Sequence, residues 1–236
     1  MCLLLAGCGR LGFGDNPRPS IDSGRDGPGA DPHLIAYYPL DVLALGMTSD
    51  ATGNGHEATC TTCPLFELSP HGHAAHFTGA AQRLDVADSP SLDTPAAFTV
   101  TAWIRADSAP TTVGCFANKR YGAVTNNSWQ ACVRDTLAIL YSTSGTNAGV
   151  NSTQRLTLGT WYHVALRWDG VIKTLSLDGV DLFSIDATVQ FDGGGMSFGA
   201  DVDSGVQVAP FPGSIDEIRI YDRALDITEI AALAGS

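Results

Sequence analysis

Phe211-Pro-Gly-Ser-Ile-Asp-Glu-Ile-Arg-Ile-Tyr-Asp-Arg-Ala-Leu-Asp-Ile-Thr-Glu-Ile230 holds a Pro-Gly turn, an alternating strand and a helix start in one short stretch. Strict two-residue alternation places Asp216, Ile218 and Ile220 on one face, and Glu217, Arg219 and Tyr221 on the other. The apolar face then begins with a carboxylate. A buried charge is costly unless it is paired, hydrogen-bonded or bound to a metal, so Asp216 is the residue that needs a role. Downstream, Asp226-Ile-Thr-Glu229 has capping-box spacing ahead of Ile-Ala-Ala-Leu, which predicts a short C-terminal helix.

Upstream of this segment the periodic stretches read as strands. They are His33–Leu40, Gln82–Ala87, Phe98–Ala106 and Trp161–Trp168. In Phe98–Ala106, Phe98, Val100, Ala102 and Ile104 share one face, with Thr99, Thr101, Trp103 and Arg105 opposite. In Trp161–Trp168, Tyr162, Val164, Leu166 and Trp168 fall together. Asp169-Gly170 and Asp178-Gly179 then turn the chain through Val171–Leu177 and Val180–Ile185, as hairpin turns do. Short strands, frequent turns and one terminal helix predict an all-β fold, a two-sheet antiparallel sandwich.

The bulk properties agree. The chain has 236 residues, 44% of them hydrophobic, which is ample for a core. Its 25 acidic against 13 basic residues give a net charge of -12 and no basic stripe, which argues against nucleic-acid binding. Leu5-Ala6-Gly7-Cys8 resembles a bacterial lipobox. That implies acylation of Cys8 and an exported, lipid-anchored protein in the cell envelope, with the outer membrane as the expected site and periplasm or cell exterior as the side it faces. Residues 1–8 form the leader. Residues 9–32, rich in Gly, Pro and Asp, are a tether, and residues 33–236 form the single folded domain. With Cys8 acylated and Cys2 lost with the leader, four cysteines remain. An even count in an exported chain favours disulfides, with Cys60 to Cys63 and Cys115 to Cys132 as the natural pairing.

In order along the chain, several pieces resemble the laminin G-like, concanavalin A-type jelly-roll family. These are Ala36-Tyr-Tyr-Pro-Leu-Asp41, Asp50-Ala-Thr-Gly-Asn-Gly55, Gly72-His-Ala-Ala-His-Phe-Thr-Gly79, Phe98-Thr-Val-Thr-Ala-Trp-Ile104, Trp161-Tyr-His-Val-Ala165, Leu175-Ser-Leu-Asp-Gly179 and the closing segment. The resemblance implies a jelly roll, often calcium-stabilised, that serves in binding or adhesion. It implies Asp41, Asp50, Asn54 and Asp216 as ligands of one structural calcium ion, with Asp216 capping a turn as the alternative. Fold alone does not settle function.

Other chemistry is weighed against this. His56, Cys60, Cys63, His71, His73 and His76 have zinc-like spacing, but an exported setting favours the disulfide. Asp201-Val-Asp203 is a second acidic loop, read as a polar turn. Glycosidases on this fold need two carboxylates on one face, and alternation points Asp216 and Glu217 to opposite faces. No nucleophile elbow or phosphate loop appears, so the expectation is a protein without catalytic residues. Trp129, Tyr121, Asn126 and Asn127 are the candidate sugar-binding residues, with burial in the core open for Trp129 and Tyr141. The expected function is a non-catalytic binding or adhesion module whose partner is a glycan. The alternative is a structural or protein-interaction lipoprotein whose partner is an envelope or extracellular protein.

Overall fold

The computed structural model of the chain describes residues 31–79, 81–121 and 126–236. The leader with Cys8, and the tether as far as residue 30, lie outside them. The described residues form two large antiparallel sheets, a two-stranded ribbon and one α-helix. The first sheet runs Val180–Asp186, Ile172–Leu177, Trp161–Trp168, Phe98–Ala106, Pro212–Tyr221, Gly72–Thr78, Leu65–Ser69. Leu34–Tyr38 also pairs with Pro212–Tyr221. The second runs Gly149–Arg155, Ala138–Thr143, Asn126–Arg134, Val113–Tyr121, Met196–Phe198, Leu84–Val86, Ala58–Thr59, Met47–Thr48.

One apolar core lies between the sheets, because each contributes the alternate residues of its strands. Phe98, Val100, Ala102 and Ile104 face it from the first sheet, beside Val164, Leu166 and Trp168. Phe116, Trp129, Val133, Ile139 and Tyr141 face it from the second. Trp129 and Tyr141 are both buried, and the Trp129 ring lies 6.1 Å from that of Phe98. This corrects the placement of Trp129 in a sugar site: an indole filling the space between the sheets cannot stack on a ligand.

The hairpin turns follow their residue chemistry. Asp178 and Gly179 have φ of 49° and 77°, the left-handed pair that a two-residue hairpin turn requires. The Asp169 carboxylate accepts from the amides of Val171 and Ile172, closing the preceding turn. The helix Ile227–Ala234 begins with the expected box. The Asp226 carboxylate accepts from the amides of Thr228 and Glu229, and the Glu229 carboxylate accepts from the amide of Asp226. Ile230 and Leu225 pack with Leu34, Ala165 and Tyr221 on the outer face of the first sheet. The helix therefore covers one end of that face.

Both expected disulfides are present. Cys60–Cys63 clips a short turn, and Cys115–Cys132 joins directly opposed residues of adjacent strands. A cross-link over 17 residues of separation removes more unfolded-chain entropy than one over three. Replacing both Cys115 and Cys132 by Ala should therefore lower stability by about 3 kcal/mol, and replacing Cys60 and Cys63 by roughly half as much. Urea melts of the two variants measure the difference, and equal losses would contradict the loop-length account.

Candidate functional site

The outer face of the first sheet is ordered in rows by its hydrogen-bond register. Nearest the helix stand Arg167, Thr99 and Tyr221, followed by Ala165, Thr101 and Arg219. His163, Trp103 and Asp216 form the third row, and Trp161, Arg105 and Ser214 the fourth. The first two rows lie under or beside the helix. The last two are farthest from it, and Trp103 and Trp161 there are partly exposed.

The position of Asp216 is a correction to the alternating reading. Asp216 pairs with Trp103 and Arg219 with Thr101, so Glu217 and Ile218 both stand opposite Ala102. This is a β-bulge, and the extra residue reverses the sidedness of everything before it. Ile215, Ile218 and Ile220 face the core, whereas Asp216 shares the outer face with Arg219 and Tyr221. Glu217 has φ of 53°, a left-handed conformation that is strained for a residue with a side chain. Its carboxylate accepts from the Tyr37 hydroxyl at 2.8 Å and pairs with Arg219 at 2.6 Å, and the Arg219 guanidinium lies 4.3 Å above the Tyr37 ring. Both carboxylates therefore lie on one side of the sheet. The expectation that they diverge is overturned, and the argument against catalysis that rested on it goes too.

The bulge sits where two strands meet along one edge. Pro212–Tyr221 pairs with Gly72–Thr78 through Ile215, and with Leu34–Tyr38 from Ile218 onward. Asp41, just after the latter strand, accepts from the amide of His73 at 2.8 Å. Asp216 is fully buried, accepts from the Ser69 hydroxyl at 2.5 Å and from the amide of Glu217. Burial pushes its carboxyl up to about 8, helped by the charges of Glu217 and Asp41. Burial also raises Glu217 despite its Arg219 partner. His71 and His163 flank Trp103, with ring centroids 4.6 Å and 5.5 Å away. Burial, then the charge of Arg219, pushes His163 down to about 3 and lowers His71.

The four residues expected to share a calcium ion fall into two pairs. Asp50 is saturated as a cap, accepting from the amides of Tyr37, Thr52 and His56 and from the Thr52 hydroxyl. The Asn54 amide donates to the Ile35 carbonyl. These two hold a loop against Leu34–Tyr38 and do not fit a cation. Asp41 and Asp216 stand close enough to interact electrostatically, with Glu217 as the third carboxylate. Among the described residues no group of three or more His, Cys, Asp or Glu side chains is placed to hold a metal ion. The zinc-like set is dispersed as well: Cys60 and Cys63 are bonded to each other, and His56 bonds to Ser91.

Of the expected sugar-binding residues, Asn126 is exposed and Tyr121 partly so. Asn127 is committed to the buried Asp201, its amide donating to the carboxylate at 2.9 Å. The richer surface is the fourth row. Arg105 pairs with Glu67 at 2.7 Å and Asp107 at 2.8 Å, and its guanidinium lies 5.4 Å over the Trp161 ring. His76 stands 3.4 Å from Asp107. Trp103 and Trp161 stand at outward positions of adjacent strands, a placement that strand parity carries in the sequence. Glu67 had no such signal, because its edge strand does not alternate.

The laminin G-type family model of the concanavalin A-like lectin/glucanases superfamily matches residues 78–231, more than half of the chain. The chain belongs to this laminin G family. No curated protein matches it. Among solved structures, Trypanosoma rangeli sialidase superposes with a TM-score of 0.68 at 15% identity, over 86% of this chain and 32% of the sialidase. The binding domain of Paraclostridial Mosquitocidal Protein 1 gives 0.70 at 14%, over 86% of this chain and 52% of that one. Domain 4 of AbnA, a GH43 extracellular arabinanase from Geobacillus stearothermophilus in complex with arabinotriose, gives 0.65 at 21%, over 85% and 98%. At these identities the likeness is one of fold, and the chain spans about a third of the sialidase. Laminin G architecture thus accounts for the sandwich, and the bulge with its buried acids is read from this chain alone.

The buried acid sets a pH dependence. The folded value of Asp216, about 8, lies above its ordinary 3.8. Its contribution is fully present below 3.8 and is lost as pH rises to about 8. His163 works oppositely: folded near 3 against 6.5, it weakens the fold as pH falls through that window. Between pH 6.5 and 8 the Asp216 contribution should make stability fall by on the order of 1–2 kcal/mol, and above about 8 the buried Lys173, lowered to about 8, acts in the opposite sense. In metal-free buffer Asp216→Asn should flatten that fall. Thermal melts of both proteins across the window check it, and an unaltered slope in the variant would exclude Asp216 as its source.

Proposed function

We propose that this chain is a non-catalytic carbohydrate-binding or adhesion domain of a bacterial cell envelope. The observation that carries the reading is the end of the outer face left open by the helix. There Trp161 and Trp103 occupy diagonal positions, roughly 7–8 Å apart in an antiparallel ladder, beside the polar side chains of Arg105, Glu67 and Asp107. Aromatic planes flanked by charged hydrogen-bonding groups suit sugar rings, which have apolar faces and hydroxyl edges. The fold neighbours that carry arabinotriose and sialic acid support the ligand class.

The absence of catalysis rests on access. Paired carboxylates cleave a glycoside only when both reach the scissile bond, roughly 5–9.5 Å apart across it. Here Asp216 is fully buried and Glu217 is locked between Arg219 and Tyr37. Export and a lipid anchor at Cys8 are supported by the Leu5-Ala6-Gly7-Cys8 leader and by two disulfides, which persist in oxidising compartments. Among the described residues no helix is long and apolar enough to cross a membrane. Of the four residues expected to hold calcium, Asp41 and Asp216 are left for the proposal, since Asp50 and Asn54 are committed as caps.

Two measurements check this reading. The protein should be retained in native gels containing at least one polysaccharide, and Trp161→Ala should remove the retention. Capture of an envelope protein with no glycan retention would favour a protein-interaction module instead. Calcium should raise the melting temperature and EDTA should reverse the rise, and an unchanged midpoint with no bound metal by elemental analysis removes the ion.

A further inference from the structure

We infer that the glycan this face takes is a neutral one, without carboxylate or sulfate groups. The inference rests on the carbohydrate reading above and adds the charge of the ligand to it. Anionic sugars are held by cations free to pair with them, ideally an arginine meeting a carboxylate in a bidentate fork. The sequence has two lysines, Lys119 and Lys173, and both are fully buried. Lys119 pairs with Asp88 and Asp93, and Lys173 donates to the carbonyls of Tyr141, Asn147 and Ala148. The arginines of the outer face are all committed. Arg219 pairs with Glu217, Arg167 with Asp181, and Arg105 with both Glu67 and Asp107.

Arg105 is the cation beside the open tryptophan, and its two carboxylates outnumber it. A sugar carboxylate arriving there would have to displace Glu67 or Asp107 and then sit beside the displaced charge. The net charge of -12 adds a long-range repulsion against any polyanion. A neutral sugar meets none of this. Its hydroxyls donate to Glu67 and Asp107 as charge-assisted hydrogen bonds, and its apolar face lies on the Trp161 indole. Side chains of Glu67, Asp107 and Arg105 remain 30%, 32% and 20% exposed, enough to offer their outer lone pairs and N–H groups.

The test is native affinity electrophoresis of the full chain at about 0.15 M salt, where surface charge is screened beyond roughly 8 Å. One set of gels contains neutral arabinan, galactan, xylan, mannan or mixed-linkage β-glucan. The other contains polygalacturonate or alginate, with sialyllactose titrated by calorimetry. The expected result is retention by at least one neutral polysaccharide and by no anionic one. Trp161→Ala should weaken that binding by roughly tenfold or more, and Trp161→Phe should restore most of it. The double variant Glu67→Gln, Asp107→Asn should lose neutral binding and gain retention by polygalacturonate, because Arg105 is released. That gain cannot come from a misfolded protein. Retention by anionic glycans alone would overturn the inference and leave the carbohydrate reading standing. No retention in either set would overturn both, and neutral binding insensitive to Trp161→Ala and to the double variant would place the site elsewhere and overturn the inference.

Discussion

The strand Pro212–Tyr221 has to satisfy two neighbours along one edge, and the bulge at Asp216-Glu217 is how it does so. Gly72–Thr78 takes its first half and Leu34–Tyr38 its second. The two partners meet the strand from separate parts of the chain, and one inserted residue adjusts the register between them. That residue is Glu217, held at φ of 53° by Arg219 and Tyr37. A strained backbone persists only when its surroundings over-determine it. The ion pair, the hydroxyl and the guanidinium over the Tyr37 ring supply that determination.

From this junction follows the division of the outer face. Beyond the bulge, Arg219 and Tyr221 lead into the helix, which is tied back by Thr99 accepting-and-donating contacts: its hydroxyl donates to the Arg223 carbonyl and accepts from the amide of Leu225. Before the bulge, Asp216 and Ser214 lead to the uncovered end with Arg105 and Trp161. One half of the face is sealed by apolar packing, and the other keeps aromatic and charged groups near solvent. The acids Asp216 and Glu217 lie at the boundary between the two halves. Their burial raises both carboxyl groups above the ordinary carboxylate range.

Much of the fold was legible in the residues. Alternation in Phe98–Ala106 and Trp161–Trp168, the Asp-Gly turns and the Asp226–Glu229 box depend on neighbours two to four positions away, so local pattern is sufficient for them. The site was legible only in part. Outward parity marks Trp103 and Trp161, whereas the partners of Arg105 come from an edge strand far away in sequence. The same distance hides the caps: Asp50 and Asn54 look like ligands by type, but their oxygens and amide serve the backbone of another strand.

The strands, the Asp-Gly turns, the disulfide-compatible cysteines and the capped helix can be read from the residues, because each is a short-range consequence of period, turn chemistry or spacing. The sequence also carried the acidic surface and the scarcity of lysine. Which way Asp216 points became visible only in the folded sheet, because a bulge depends on how many residues the partner strand presents and cannot be seen from one strand. The tertiary structure likewise shows that Trp129 fills the core while Trp161 stays near solvent. Both are tryptophans on strands, and what separates them is which side of each strand meets the other sheet.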